Sequence, residues 1–331
     1  MSTSGAPMLA DYYLGKNILI TGAGGFIGGH LTAYLAGLGA AVDATVHTAA
    51  GDDKMLTGAK IRRLRLDVSD LGAIKDLLSE RRYDLIFHLA ARPAGDRGQE
   101  QMTEQARVTL GGTVNLATAV LAAISSKQSA PLVVHLGSSE EYGAANTPFF
   151  ENQALAPVSP YSAAKASASQ FLLMARTSFG LPVIVARPSV VFGPGQKSGM
   201  VIPYLFDCYS RKKAAEISPG EQTRDFLYID DCVDGLARLG SRAELAGECF
   251  NLGCGEEVKL KDVAEEIARL CGYEGDLGLG SRPYRCPEVM RHRQSVAKAL
   301  DKLDWRAVVD LKEGLQRTHQ WWQSRRPSES A

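Results

Sequence analysis

The chain has 331 residues, 45% of them hydrophobic, and its 37 basic and 37 acidic residues give a formal net charge of zero. This length can bury a large core, as one extended domain or as a large and a small one. The charge balance gives no reason to predict binding to nucleic acid or to an acidic membrane surface. The six cysteines lack paired metal-ligand spacing, which predicts reduced thiols and no metal site. Residues 1–16 lack a basic start followed by an apolar core, and no apolar run has membrane-spanning length, so we expect a cytoplasmic protein.

Predicted strands alternate with helical patterns in the first 195 residues. The strands fall at 17–21, 41–47, 61–66, 85–89, 132–137 and 183–188, and helical patterns include 30–38, 113–124 and 163–175. Such alternation is typical of an α/β fold with a doubly wound parallel sheet of Rossmann type. After residue 195 the pattern loosens, with clear helices at 261–270 and 312–322. This predicts a smaller α/β C-terminal lobe at the carboxyl edge of the sheet, where such folds bind ligands.

A glycine-rich segment follows the first strand and opens the first helical pattern. It reads Thr21-Gly22-Ala23-Gly24-Gly25-Phe26-Ile27-Gly28. Glycines in this context permit a tight turn, a close approach of a pyrophosphate to the backbone, and close packing of helix on sheet. The segment therefore predicts a dinucleotide site.

Tyr161 and Lys165 lie four residues apart in a helical pattern, so they share one face. There the ammonium can favour the phenolate and make Tyr161 a proton shuttle near neutral pH. Taken alone, the pair would indicate a lysine extended along the surface beside a half-buried tyrosine. The glycine turn favours the redox interpretation.

Together these motifs resemble the extended short-chain dehydrogenase/reductase family of nucleotide-sugar epimerases, dehydratases and 4-ketoreductases, from about residue 17 to 322. The matching segments are 21–28, 66–68 (Leu-Asp-Val), 88–91 (His-Leu-Ala-Ala), 137–143 (Gly-Ser-Ser-Glu-Glu-Tyr-Gly), Tyr161 with Lys165, Arg187-Pro188, 193–195 (Gly-Pro-Gly) and 224–226 (Arg-Asp-Phe). The resemblance implies an NAD(P)-binding Rossmann domain at 16–195 and a nucleotide-sugar lobe at 196–323, some of whose neighbouring elements return to the first domain. Residues 1–15 and 324–331 are predicted to be flexible.

The resemblance also implies a set of cofactor contacts. Gly22, Gly25, Phe26, Ile27 and Gly28 would hold the pyrophosphate, Asp67 and Val68 would meet the adenine, Leu89, Ala90 and Ala91 would line the path to the nicotinamide, and Pro188 would also contact the cofactor. The second strand ends at Val46 and His47 where an acid would bind the adenosine ribose, and Asp43 lies too early for that role. We therefore expect NADP or NAD as the cofactor, with a mild preference for NADP. His47 would lie beside the adenosine ribose.

For catalysis, the resemblance implies that Ser138 binds the substrate oxygen whose proton Tyr161 moves. Lys165 would also bind the nicotinamide ribose. Glu140 falls where dehydratases carry their base, and the alternative is that Glu140 and Glu141 are a solvated pair in a loop. His88 is expected to be structural.

The substrate contacts implied by the resemblance are Arg224 and Arg282 on the diphosphate, with Ser139 and Gln196. Two positions depart from the family, because Val190 and Thr109 stand where asparagines are usual. These departures leave the details of sugar binding open.

The string around Glu140 is most similar to that of the bacterial reductases of GDP-4-keto-6-deoxymannose. It implies a 4-keto-6-deoxyhexose reductase that transfers hydride to C4 of a nucleotide diphosphate sugar. A redox-neutral 4,6-dehydratase or epimerase is the alternative, and a non-catalytic dinucleotide sensor is a remote one. The resemblance also implies a homodimer in which the helices at 113–124 and 163–175 pair as a four-helix bundle.

Overall fold

The buried apolar runs of the sequence form the strands of a seven-stranded sheet. The computed structural model describes residues 9–47, 56–93, 98–125 and 130–325. The strands are β1 (Asn17–Thr21), β2 (Ala41–Val46), β3 (Ile61–Arg65), β4 (Leu85–His88), β5 (Leu132–Leu136), β6 (Val183–Pro188), β7 (Val190–Phe192), β8 (Thr223–Arg224), β9 (Phe226–Tyr228), β10 (Cys249–Leu252) and β11 (Val258–Lys259). The order in the large sheet is β10-β6-β5-β4-β1-β2-β3. The pairings that join β3, β2, β1, β4, β5 and β6 are parallel. The predicted doubly wound parallel sheet is confirmed.

Helices connect these strands. They are α1 (Leu9–Tyr13), α2 (Phe26–Gly37), α3 (Leu71–Glu80), α4 (Gln101–Glu104), α5 (Gly112–Ser125), α6 (Pro160–Phe179), α7 (Val201–Ser210), α8 (Ile229–Gly240), α9 (Leu260–Leu270), α10 (Ala297–Leu303) and α11 (Leu311–Arg325). A π-helical segment, Gln105–Gly111, joins α4 to α5. Leu19, Ile86 and Val133 of the sheet form one buried core with Leu116 of α5 and Leu172 of α6, which fixes both helices on this face of the sheet.

The sequence defines both ends of α6 clearly. Ser159 caps the first turn and forms a reciprocal capping box with Ser162, and Pro160 occupies the first turn. Gly180 ends the helix in the left-handed conformation, at φ 76°. Caps of this kind fix the start of a helix to a particular residue. Tyr161 is thereby held in the first turn of α6.

The described residues divide into two units, within Met1–Glu141, Ser159–Arg187 and Val233–Phe250, and within Tyr142–Val158, Pro188–Cys232 and Asn251–Ala331. In the second unit β7 pairs with β9 and β8 pairs with β11. The break after Arg187 precedes the predicted boundary at residue 195, because β7 pairs with β9 of the second unit rather than with the seven-stranded sheet.

The start of the chain also differs from the prediction of a flexible segment at 1–15. Residues 1–8 lie outside the described part, but Leu9–Tyr13 is helical. Tyr13 is fully buried and its hydroxyl donates to the carbonyl oxygen of Ala237 at 2.6 Å. This buried hydrogen bond holds α1 on the first unit. The predicted tail at 324–331 lies outside the described residues beyond Arg325.

The helical stretch Gln101–Ile124 is long and apolar enough to cross a membrane, by length and composition alone. Core helices of soluble proteins meet the same criterion. Here Gln105, Thr109 and Thr113 on this stretch are buried polar side chains, and α5 packs against α3 and α6. These contacts are those of a helix that covers a sheet.

Candidate active site

The glycine turn between β1 and α2 has no room for side chains. Gly22 has φ +74°, and a Cβ on it would lie 2.7 Å from the backbone nitrogen of Ala90. A Cβ on Gly28 would lie 2.3 Å from the carbonyl oxygen of Gly22. Gly25 caps α2 without a side chain, so the first backbone N–H groups of Phe26, Ile27 and Gly28 face outward from the helix end. This narrow cradle at a helix N-terminus fits a dinucleotide pyrophosphate.

The end of β4 lies against this turn. Leu89 is buried, and the backbone of Ala90 lies against Gly22. The N–H of Ala90 donates to Thr21 Oγ1 at 3.3 Å. The backbone of Leu89 and Ala90 thus borders the cradle, and these residues belong to the segment predicted to line the path to the nicotinamide.

The ends of β2 and β3 carry the residues predicted to meet the adenosine. Asp67 accepts from the N–H and the hydroxyl of Ser69 at 2.9 and 2.7 Å, and His47 Nδ1 lies 3.9 Å from its other oxygen. Burial raises the pKa of Asp67, but the Ser69 hydrogen bonds and His47 outweigh it and lower the pKa. Val68 is buried against Gly112, where a Cβ would meet its Cγ2 at 2.6 Å. Asp67 and His47 therefore remain at the surface, and Val68 is anchored in the core.

Asp43, which the sequence places too early for the ribose, has a structural role. Its buried carboxylate binds Arg62 at 2.6 Å, Arg81 at 2.8 Å and the hydroxyl of Tyr83 at 2.6 Å. These three partners occupy both carboxylate oxygens. No carboxylate of β2 is left for a ribose.

Tyr161 and Lys165 lie on one face of α6, as their spacing predicts. Tyr161 is half-buried and Lys165 is buried. The Lys165 ammonium donates to the carbonyl oxygen of Leu136 at the end of β5, 2.5 Å away. The lysine is therefore anchored to the strand that leads into the catalytic loop.

Ser138 follows β5, and its side chain lies close enough to Tyr161 to lower the pKa of the phenol against the effect of burial. Its Oγ also accepts from the N–H of Glu140 at 3.1 Å. Because that lone pair is occupied, the hydroxyl is oriented by the loop. Ser138, Tyr161 and Lys165 are thus brought together by the end of β5 and one face of α6.

The electrostatics of the pair differ from the sequence-based expectation that Lys165 favours the phenolate. Burial raises the pKa of Tyr161, and the charge of Glu140 raises it further. Burial lowers the pKa of Lys165 to about 8, against the opposing charge of Glu141. Both shifts have one cause, since a low-dielectric site disfavours either charged form. In this structure the neutral phenol is the stable form, which suits a proton donor.

Glu140 and Glu141 have different environments, although the sequence allowed both to be solvated. Glu140 is partly exposed next to Tyr161. Glu141 is fully buried and accepts from Arg187 at 2.8 Å and from the hydroxyl of Ser169 at 2.9 Å. Sequence reasoning named Glu141 only as a possible loop residue and Arg187 only within a matching segment, and it did not identify their pairing or Ser169. The available signal was an arginine within an otherwise apolar strand, which demands a buried partner.

His88 has the structural environment that the sequence predicts. Its two ring nitrogens bind Thr21 Oγ1 at 2.7 Å and Thr113 Oγ1 at 3.0 Å, and its ring stacks on His135 at 5.5 Å between centroids. Burial, with the nearby charge of Lys165, lowers its pKa to about 3. A neutral, fully bonded imidazole of this kind holds β1 and α5 together.

Thr109, which replaces a family asparagine, is a buried residue of the π-helical segment. Its hydroxyl donates to Gln105 Oε1 at 2.9 Å and accepts from the N–H of Arg92 at 3.1 Å. The threonine thus fixes the loop after β4 to the π-helical segment. Val190, the other departure, starts β7.

The residues predicted to bind substrate are split between the units. Ser139 is buried in the first unit, and Pro188, predicted to contact the cofactor, is buried at the end of β6. In the second unit Gln196 donates to the carbonyl oxygen of Val191 at 2.8 Å, and its Oε1 has no hydrogen-bond partner among the described residues.

Both predicted phosphate-binding arginines already have acidic partners. Arg224 pairs with Glu288 at 2.6 Å and donates to two backbone oxygens, those of Thr223 and Val289. Arg282 is exposed and pairs with Glu216. A diphosphate would have to compete with these carboxylates for each guanidinium.

The chain is similar to known nucleotide-sugar enzymes along most of its length. The family model described as NAD dependent epimerase/dehydratase family matches residues 18–253. The UDP-glucose 4-epimerase of Mycolicibacterium smegmatis is 30% identical over 93% of this chain and 98% of its own length. The GDP-6-deoxy-D-mannose reductase of Pseudomonas aeruginosa is 28% identical over 94% and 98%. The structure of epimerase Mth375 of Methanothermobacter thermautotrophicus superposes with a TM-score of 0.87, at 28% identity, over 96% of both chains.

These relatives confirm an enzyme that uses NAD(P), and they exclude the non-catalytic sensor. The matched residues contain the glycine turn, Ser138, Tyr161 and Lys165. The chain is therefore a member of the NAD dependent epimerase/dehydratase family of nucleotide-sugar enzymes.

Proposed function

We propose that the protein is an NAD(P)H-dependent 4-keto-6-deoxyhexose reductase that acts on a nucleotide diphosphate sugar. When bound in the glycine turn, the reduced cofactor would supply the hydride for C4. Ser138 holds the C4 oxygen and Tyr161 delivers a proton to it, for which the raised pKa of Tyr161 keeps the phenol protonated. Lys165, anchored on Leu136, lies on the same face of α6 as Tyr161.

The observation that carries the proposal is the burial of Glu141. A 4,6-dehydratase must remove a proton at C5 and also protonate the departing hydroxyl at C6. Glu141 is withdrawn into its pair with Arg187, and the residue before Glu140 is a serine. In this loop, Glu140 is the one carboxylate beside Tyr161. A single carboxylate suits reduction, which requires no group at C5 or C6.

One observation favours the alternative, a redox-neutral 4,6-dehydratase or epimerase. Glu140 is close enough to Tyr161 to raise its pKa, so it is placed where a base for C5 could act. The experiment that separates the two incubates the protein with NADPH or NADH and a panel of GDP-, dTDP-, UDP- and CDP-linked 4-keto-6-deoxy sugars. Stoichiometric loss of the reduced cofactor supports the reductase. Turnover of an unmodified hexose nucleotide without net cofactor consumption would support the alternative instead.

For the cofactor we propose a preference for NADP. The Asp43 carboxylate already accepts hydrogen bonds from Arg62 and Arg81. His47 is exposed directly after β2. Arg65 pairs in register with Val46, whose side chain lies 3.0 Å from where a Cβ on Gly24 would be. Residues in register on parallel strands share a face, so the exposed Arg65 lies on the side of the glycine turn. A cation there would attract a ribose 2′-phosphate.

The test of this preference is the pair of dissociation constants for NADP⁺ and NAD⁺, measured by titration calorimetry. Arg65→Gln should weaken NADP⁺ by ~10-fold, about 1.4 kcal/mol, and leave NAD⁺ nearly unchanged. Arg82→Gln, an exposed residue after α3, is the matched control. Equal affinities of the unmodified protein for both cofactors would contradict the preference.

We also propose a cytoplasmic homodimer. Large apolar side chains are exposed on the two long helical stretches of the first unit: Met102 is 57% exposed, Met174 40% and Phe179 63%. Two copies could cover these surfaces by pairing the stretches as a four-helix bundle. None of the six cysteines, all of which lie in the described part of the chain, forms a disulfide, which suits a reducing compartment. Sedimentation at micromolar concentration should give twice the chain mass, and a monomer would refute the dimer.

A further inference from the structure

The loop after β5 contains a buried carboxylate that the proposed reaction does not use. Glu141 Oε1 accepts from the N–H of Ser138 and from the hydroxyl of Ser169, both at 2.9 Å. Its Oε2 accepts from Arg187 Nε at 2.8 Å. Glu141 is 0% exposed and Arg187 is 1% exposed. All of these contacts are donations to the carboxylate, so they favour its ionised form. Burial raises the pKa of Glu141, and the charge of Arg187 with these hydrogen bonds offsets part of that rise.

The partners of Glu141 come from three elements that converge on the catalytic pair. Ser138 follows β5, Arg187 is in β6, and Ser169 is in α6. Tyr161, Lys165 and Ser169 are spaced by four residues, so they lie along one face of α6. The carboxylate therefore ties the catalytic serine to the same helix face that presents the tyrosine and the lysine.

Every polar group of Ser138 is fixed within this loop. Its N–H donates to Glu141, its carbonyl oxygen accepts from the N–H of Glu141 at 3.1 Å, and its Oγ accepts from the N–H of Glu140. The preceding glycine makes room, since a Cβ on Gly137 would lie 2.4 Å from Glu141 Oε1. The loop thus fixes the backbone of Ser138 and one lone pair of its hydroxyl, and the side chain lies near Tyr161.

From these contacts we infer that Glu141 is a positioning residue for the reaction. It holds the Ser138 hydroxyl in line with Tyr161, and with Arg187 it forms a charge-balanced pair behind the Tyr161 and Lys165 side chains. The inference rests on the proposed proton transfer by Tyr161. The two adjacent glutamates then have different roles. Glu140 lies beside Tyr161, whereas Glu141 positions Ser138.

A residue that only joined β5, β6 and α6 would make the same hydrogen bonds. The effect of the Glu141 charge on the reaction must therefore distinguish a positioning role from a purely structural one. The ionisable groups near Glu141 are Arg187 on β6, Tyr161 and Lys165 on α6, His135 on β5, and Glu140. Glu141→Gln keeps the shape and most acceptors, but removes the anion and leaves the Arg187 cation unbalanced. Both changes favour the phenolate and disfavour the ammonium, so the pKa values of Tyr161 and Lys165 should fall.

The experiment compares Glu141→Gln, Glu141→Ala and the double variant Glu141→Gln/Arg187→Gln with the unmodified enzyme. For Glu141→Gln the basic limb of kcat against pH should move down by ~1 pH unit, and in the double variant it should return toward the unmodified value. Glu141→Ala should lower kcat by ~100-fold with less than ~3-fold change in KM for the reduced cofactor, because the glycine turn is untouched. Glu80→Gln, exposed at the end of α3, is the control. An unmoved basic limb in Glu141→Gln would overturn the inference.

A second measurement needs no substrate and so separates this inference from the proposed function. Amide hydrogen exchange over residues 137–142 should be slow in the unmodified protein and in Glu141→Gln, and at least ~10-fold faster in Glu141→Ala, where the acceptor for Ser138 is lost. If the enzyme reduces none of the 4-keto sugars but this exchange pattern holds, the proposed function fails and the positioning of Ser138 stands. Unchanged exchange in a folded Glu141→Ala would overturn the positioning itself.

Discussion

Lys165 is bonded to Leu136, at 2.5 Å, and that contact places the ammonium at the carboxyl end of β5. The strand and the helix that carry the catalytic groups are thus joined by the side chain that the chemistry needs. Burial keeps the pKa of this lysine near 8, well below its usual range. A small change in its surroundings can therefore change its charge at neutral pH.

Lys165→Met should lower both turnover and affinity for the cofactor. The substitution removes a positive charge near Tyr161, which raises the cost of the phenolate and moves the activity optimum to higher pH. Turnover against pH and the dissociation constant of NADP⁺ are the measurements. Lys75→Met, an exposed lysine on α3, should leave both unchanged. The same pH profile and affinity in both variants would mean that Lys165 only joins the helix to the strand.

Tyr161→Phe should leave dinucleotide binding nearly intact and lower turnover by ~100-fold or more, the usual size of a lost general acid. Only the phenolic hydroxyl, which lies near Ser138, disappears. Steady-state rates and cofactor titration measure the two effects separately. Tyr34→Phe removes a more exposed hydroxyl of α2 and is the control. Full activity of Tyr161→Phe would contradict the proposed role of Tyr161 as the proton donor.

Gly28→Ala should weaken cofactor binding by more than ~10-fold, about 1.4 kcal/mol. The new Cβ would lie 2.3 Å from the carbonyl oxygen of Gly22 and would force the turn open. Gly37→Ala is a close control, because it lies in the same helix and a Cβ there meets nothing within 4 Å. Calorimetric titration with NADP⁺ and NAD⁺ measures the dissociation constants of both variants and of the unmodified protein. Equal affinity in both variants would show that the turn does not hold the pyrophosphate.

Asp43→Asn should lower the free energy of unfolding by about 3 kcal/mol at pH 7, because it breaks a buried ionic cluster. Burial raises the pKa of Asp43, but hydrogen bonds from Arg62 and Tyr83 and the charge of Arg81 outweigh it and lower the pKa. An acid with a lowered folded pKa contributes stability above its unfolded value, near pH 4, and loses it as the pH falls through the folded value.

The measurement for Asp43 is urea unfolding at pH 7 and at pH 3. The difference between the unmodified protein and Asp43→Asn should narrow at the lower pH. Asp76→Asn, exposed on α3, should match the unmodified protein at both. A constant difference would indicate that the loss comes from packing rather than charge.

Much of this site follows from sequence because it depends on local geometry. Glycines at fixed spacing predict the turn at Gly22 and Gly28, and a spacing of four predicts that Tyr161 and Lys165 share a face. The separation of Glu140 from Glu141 could not be predicted in this way. It depends on Arg187, which is 46 residues away along the chain, and on the parallel pairing of β5 with β6 that brings it close.

Substitution of Glu140 separates reduction from dehydration. In a reductase, hydride comes from the cofactor and the proton from Tyr161, so Glu140→Gln should retain much of the NADPH-dependent reduction of a 4-keto sugar. Removing the charge that raises the pKa of Tyr161 should also move the basic limb of the rate to lower pH. In a dehydratase, the same change should block water loss at C6 but allow oxidation at C4, which leaves reduced cofactor on the enzyme. We expect the reductase result, measured by cofactor absorbance with Glu80→Gln as control. Formation of a 4-keto-6-deoxy product from an unmodified hexose nucleotide, blocked in Glu140→Gln, would reverse the assignment.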